Sequence, residues 1–169
     1  HGWIFKEEIK VEGGWRRVVP SPAPIDFKNA ALVERMARSG SIVITGGGGG
    51  IPVYVDGEGM LQPLEGVIDK DLASAMIGAR VKADELYILT DVPYIYKDFR
   101  KPTQEVLEFL DYADAMKYLE AGTFGEGSMA PKIRACLSFV EKGGQKAVIT
   151  EATKLEDRRY GSKITMHYD

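Results

Sequence analysis

Apolar residues fall along this chain in two rhythms that alternate. Short β-branched runs stand at 42–44 (IVI), 85–90 (ELYILT) and 146–150 (KAVIT), with the length and composition of buried strands. Between them the apolar positions take helical spacing. Ala30, Val33, Met36 and Ala37 form a stripe, with Asp26 as the expected N-cap and Gly40 as the stop. Leu72, Ala73, Ala75, Met76 and Ala79 follow an acidic start near Asp69, and 112–121 is a further helix. In the next helix Ser128 is the expected cap and Pro131 sits in the first turn. Ile133, Cys136, Leu137 and Val140 share one face, and Gly143-Gly144 ends it. Residues 15–27 read as a short strand halted by prolines. Residues 53–64 read as a hairpin turning at Asp56-Gly57, and 162–167 as a last, amphipathic strand. Strand and helix in alternation predict an α/β layered sheet with parallel strands. Ligands in such sheets sit beyond the carboxyl ends of the strands. A glycine run and Thr90-Asp91 both occupy such ends.

That glycine run, Gly46 to Gly50, directly follows the first buried run and leads into Ile-Pro-Val. Glycine costs about 0.5–1 kcal/mol relative to alanine in regular structure, so five in a row need a purpose. A flexible surface loop is one reading. Close approach of backbone N–H groups to an anion is the other. The known phosphate loops do not match. No Lys-Ser/Thr follows Gly50, and position 51 is Ile where a dinucleotide fingerprint needs glycine.

Composition narrows the classes. The 169 residues suit one domain, and 44% hydrophobic with 28% charged residues suits a packed core. A net charge of −3 without a basic tract argues against nucleic acid. The apolar runs are strand-sized, which argues against a membrane span. A single cysteine, Cys136, excludes an internal disulfide and fits a reducing cytoplasm. One Cys with two distant His, His1 and His167, makes no zinc constellation. Residues 1–14 lack the apolar core of a signal peptide. The initial His fits a tag remnant or a start inside a longer gene product.

Two lysines stand at helix starts. Lys70 lies between Asp69 and Asp71, and Lys132 follows Ser128 and Pro131. The acids and the cap are ordinary helix-start chemistry, but a cation there opposes the helix dipole. Two such cations beside a glycine-rich strand end suggest a polyanion between them. Phosphoryl transfer, where catalysis is mostly positioning and charge neutralisation, fits that arrangement.

The segments RRVVPSPAP, GGGGIPV, VIDKDLAS, LTDVPYIY and GSMAPK, in that order from Arg16 to Lys132, closely resemble the carbamate kinases of the amino-acid-kinase fold. The resemblance implies a three-layer α/β/α sandwich around a mainly parallel sheet. It implies interconversion of ATP plus carbamate with ADP plus carbamoyl phosphate, with Mg²⁺ held largely by phosphates and water, and a homodimer. Carried over by position, Lys70 and Lys132 contact the nucleotide phosphates and the transferring group, and Asp71 holds their ammonium groups. Gly47, Gly48, Gly49 and Gly50 lie near the carbamate and phosphoryl pocket. Thr90, Asp91, Val92, Tyr96, Ser128 and Met129 fall on nucleotide-pocket segments. Carbamate kinases also carry an amino-terminal half with a second glycine-rich loop and a protruding lobe, and neither is found here. The expected layout is therefore a lobe remnant or connector at 1–15 and the nucleotide-binding half at 16–169. Either a separate amino-terminal half chain completes it, or the chain is a truncated half-domain that binds without catalysing. A kinase of the same fold acting on another carboxylate or on UMP is the remaining alternative. Tyr94 and Tyr96 are candidates to stack on adenine, Cys136 is expected in the core, and Trp3 and Trp15 are expected to pack near the lobe junction.

Overall fold

The computed structural model describes residues 2–7 and 12–167. His1, part of the expected connector (8–11) and the last two residues lie outside the described residues. The main sheet is built from β5 (Glu85–Thr90), β9 (Lys146–Glu151), β10 (Ser162–Thr165) and β8 (Phe109–Asp111), in that spatial order. β5 runs parallel to β9 and β10 parallel to β8, while β10 and β9 are antiparallel. Two of the three pairings are thus parallel, and the α/β class holds.

Helices α2 (Lys70–Arg80), α3 (Tyr112–Glu120) and α4 (Met129–Glu141) pack against this sheet and each other. Alternation in β9 sends Ala147 and Ile149 into the shared core with Ile133, Cys136, Phe139 and Val140 of α4. All four expected apolar positions of α4, Ile133, Cys136, Leu137 and Val140, are buried. Burying each such side chain contributes about 1.5–3 kcal/mol. Phe139 is fully enclosed because two glycines make room for it. A Cβ on Gly144 would lie 2.2 Å from its ring and one on Gly78 3.0 Å. α2 and α4 can therefore approach closely, which matters for the site because both start at the same end of the sheet.

Three small antiparallel pairs surround the sheet. β1 (Ile4–Glu7) pairs with β2 (Trp15–Val18), β3 (Val53–Val55) with β4 (Leu61–Pro63), and β6 (Ile95–Lys97) with β7 (Glu105–Leu107). The second is the expected hairpin. Asp56 accepts from the Glu58 and Met60 amides, and Gly59 takes a positive φ of 82°. The sequence pattern predicts no element for the third pair or β8, because strands of three residues leave too short a pattern to see.

Four expectations are corrected. Residues 42–44 form no strand. Ile42 and Ile44 are 96% and 95% exposed, and no backbone hydrogen bond ties 42–45 to another described residue. Their sequence has the preference for a sheet, but no strand among the described residues lies alongside to satisfy it. Second, α1 (Ala30–Arg38) starts later than expected. Asn29 occupies the cap position at φ 66°, and Asp26 pairs instead with Arg80 at 2.9 Å. Third, of its stripe only Ala30 is buried, and Met36 and Ala37 are exposed, because no element covers that face. Fourth, Trp3 and Trp15 are 54% and 68% exposed. Trp3 carries the Arg17 guanidinium 4.4 Å from the centre of its ring.

Candidate active site

Asp69 is the N-cap of α2. Its Oδ1 accepts from the Asp71 and Leu72 amides at 2.8 and 3.1 Å, which satisfies two of the donors a helix start leaves open. That cap holds the next two side chains at the head of the helix. Asp71 is buried there and binds two cations, one on each oxygen. Lys70 Nζ donates to Oδ1 at 3.1 Å and Lys132 Nζ to Oδ2 at 2.9 Å. Lys132 comes from the first turn of α4, so the carboxylate joins the starts of the two helices.

The two lysines differ in setting. Lys132 is 14% exposed and Lys70 is 62% exposed. Partial desolvation pulls the Lys70 ammonium down. The hydrogen bond and charge of Asp71, aided by Asp69, outweigh that and leave it raised overall. Lys70 therefore stays a full cation at neutral pH. Lys70 and Lys132 balance the formal charges of Asp69 and Asp71, and the two helix N-termini beside them add the donors and dipole that attract anions. Ser128 stands at the N-cap position of α4 but makes no side-chain cap bond.

The glycine run lies against the same helix start. Gly46, Gly47, Gly48 and Gly50 have φ of 81°, 61°, 122° and 81°, the region that side chains with a Cβ avoid. Gly49 is required for space instead, since a Cβ there would sit 1.9 Å from the Ile68 carbonyl oxygen. Gly47, Gly48 and Gly50 face open space. What demands glycine at those three positions within the chain itself is backbone conformation.

Beyond the carboxyl end of β5 opens a cleft of about 520 Å³. Thr90, Asp91, Val92, Tyr96, Ser128 and Met129, the six residues assigned to a nucleotide pocket from sequence, all line it, and so does Lys132. The cleft thus reaches Lys132, while Lys70, Asp71 and the glycine run are not part of its lining. Tyr96 leans on Phe99 with ring centroids 5.5 Å apart, and burial pushes its phenol up. Tyr94 does not line the cleft; it packs on Tyr160 at 5.0 Å. Phe99, Arg100, Lys101, Thr123 and Phe124 also line it and were missed. The signal for the first three was the basic loop Lys97–Lys101, whose Asp98 and Arg100 both hold positive φ. Among the described residues no group of three His, Cys, Asp or Glu could hold a metal.

A sequence model of the amino acid kinase family matches residues 5–151. The chain belongs to the amino acid kinase family. Carbamate kinase from Thermoplasma volcanium is 45% identical over 150 residues, 89% of this chain and 48% of that protein. Carbamate kinase from Halobacterium salinarum is 44% identical over 154 residues, 89% of this chain and 50% of that protein. Carbamate kinase from Giardia lamblia bound to AMP-PNP superposes with a TM-score of 0.87 at 32% identity, over 97% of this chain and 52% of that one. This member of the family therefore spans about half the length of the curated relatives it matches. No helix among its described residues is long and apolar enough to cross a membrane.

Proposed function

We propose that this chain supplies the nucleotide-binding half of a carbamate kinase, which interconverts ATP plus carbamate with ADP plus carbamoyl phosphate. The observation that carries the reading is the Asp71 carboxylate clamped between Lys70 and Lys132 at the edge of the cleft, in a chain 45% identical to a carbamate kinase. The lining suits a nucleotide. Val92, Tyr96, Phe99, Phe124 and Met129 offer apolar and aromatic surface to a base, while Lys132 offers charge to phosphates; Arg100 over the Phe99 ring and Lys101 on Asp98 are engaged within their own loop.

In the forward direction a carbamate oxygen attacks the γ-phosphorus of ATP. The bond from that phosphorus to the β–γ bridging oxygen breaks, and its electron pair leaves on ADP. Carbamate is already anionic, so no general base is needed. The work left to the protein is to hold anions together and offset their charge. Lys132, held by Asp71 and largely shielded, faces the transferring group. Lys70, more exposed, meets the nucleotide phosphates or the acceptor. Asp71 positions both amines. The Gly47–Gly50 backbone offers N–H donors to the small anion. Mg²⁺ would accompany the nucleotide, held mainly by phosphate and water oxygens, and would offset phosphate charge there.

The reading places a lobe remnant or connector at 1–15, a cytoplasmic setting, a homodimer, and a complementary amino-terminal half as part of the active protein. The second reading, a half-domain that binds nucleotide without turnover, is favoured by the exposed, unpaired segment 42–44. One experiment separates them: ATP formation from carbamoyl phosphate and ADP, measured on this chain alone and with the amino-terminal half of a relative, beside calorimetry with ADP. Turnover that depends on the added half supports the first reading. ADP binding with no turnover in either mixture supports the second. No ADP binding at all removes both.

A further inference from the structure

The β6–β7 hairpin carries five cleft residues: Tyr96 on its first strand, and Asp98, Phe99, Arg100 and Lys101 in its loop. Two strands of three residues do not hold their shape alone in water. The hold comes at the open end, where Ile95 and Leu107 face each other in register. Ser162 Oγ accepts from the Ile95 N–H at 2.7 Å and donates to the Leu107 carbonyl at 2.6 Å. One hydroxyl thus forms a bridge across the hairpin while its own backbone belongs to β10, opposite Ile149 of β9. Ser162 and Ile95 are both fully buried, so water cannot replace either bond.

The residue before it makes this placement possible. Gly161 has φ 90°, and a Cβ there would lie 2.7 Å from both the Ile149 carbonyl oxygen and Thr150 Cβ. Glycine lets the chain enter β10 tight against β9, which delivers the hydroxyl to the hairpin base. Ser162 reaches no cleft atom itself, since it is not among the lining residues.

We infer that Ser162 is a positioning residue: through its two buried hydrogen bonds it sets the β6–β7 hairpin on the sheet and so places Tyr96 and Phe99 against the base of a nucleotide. The inference rests on the nucleotide reading of the cleft. A residue that merely filled the core would affect all ligands alike. A residue that sets this hairpin acts on the base-dependent part of affinity and spares the phosphate part, which belongs to Lys70 and Lys132.

The test compares wild type, Ser162→Ala and Ser162→Thr, which keeps the hydroxyl. Amide hydrogen exchange without ligand reports the hairpin, and calorimetry with ADP and with inorganic tripolyphosphate reports the two parts of affinity. For Ser162→Ala, hairpin amides at 95–107 exchange about 10- to 100-fold faster, the loss of two net hydrogen bonds, while those of α4 and β9 keep their protection. ADP affinity falls by a similar factor and tripolyphosphate affinity stays. Ser162→Thr restores both. Equal acceleration across the whole chain, an equal loss for both ligands, or an unmoved hairpin overturns the inference. If wild type binds no ADP, the nucleotide reading fails, and the hairpin exchange still decides whether Ser162 sets the hairpin.

Discussion

Asp71 and Lys132, 61 residues apart in sequence, meet at 2.9 Å and join the first turns of α2 and α4. Each partner is nearly shielded from water, at 10% and 14% exposure. Lone removal of one therefore strands the other. Asp71→Ala lowers stability by about 1–3 kcal/mol, read in a urea melt. Lys132→Ala retains the fold, and phosphoryl transfer in the reconstituted enzyme falls by about 10²–10³. A normal turnover rate in that variant would take Lys132 out of the reaction.

Gly49 and Gly57 should respond in opposite ways to alanine. A Cβ at Gly49 meets the Ile68 carbonyl oxygen at 1.9 Å, while at Gly57 it meets nothing within 4 Å. Gly49→Ala displaces the segment leading into the Asp69 cap and lowers the melting temperature; Gly57→Ala leaves it within error. Gly48→Val, at φ 122°, costs about 1–3 kcal/mol of backbone strain. It impairs use of carbamoyl phosphate while ADP binding persists. Identical melts for the first two variants, or unchanged kinetics for the third, would make the run a plain connector.

Much of this site was legible because its parts are local. Asp69, Lys70 and Asp71 are consecutive, and the helix-start chemistry of Ser128 to Lys132 lies within one turn. The meeting of Lys132 with Asp71 was expected from the resemblance alone, since no local pattern encodes a contact across 61 positions. Phe99 and Arg100 escaped because they sit in the loop between two three-residue strands, and strands that short show no period to mark the loop as a hairpin. Ser162 escaped because a serine at a strand start reads as ordinary until its partners, 67 and 55 residues away, are seen. The strand reading of 42–44 failed for a different reason. β-propensity describes fitness for a sheet, and here no neighbour supplies one.

Glu85 gives the protein an acid-sensitive tie between β5 and β9. The Lys146 ammonium at 2.9 Å and then the Tyr87 hydroxyl at 2.7 Å hold its carboxyl below the usual glutamate range. A carboxyl depressed in the folded state contributes stability above the ordinary glutamate value and loses it as pH falls through the folded value. Glu85→Gln therefore melts at a lower temperature than wild type at neutral pH, and the gap closes in acid. A gap that is constant across that range would show that the ionised pair contributes nothing.

Cys136 is fully buried beside Asp71 and Lys132 in space. Burial first, then the Asp71 charge, pushes its thiol well above the usual range, so almost no thiolate forms at neutral pH. A soluble maleimide labels it only on the timescale of unfolding, and urea accelerates labelling to the rate of a free thiol. Rapid modification of the native chain would contradict the core placement.

The bare ribbon at Ile42 and Ile44 has a cost in handling. Unsatisfied amides flanked by isoleucine invite the same ribbon of a neighbouring molecule, and no proline or lysine within 42–45 deters it. Turbidity should therefore climb steeply with protein concentration, and a lysine at Ile44 should suppress it while leaving the cleft untouched.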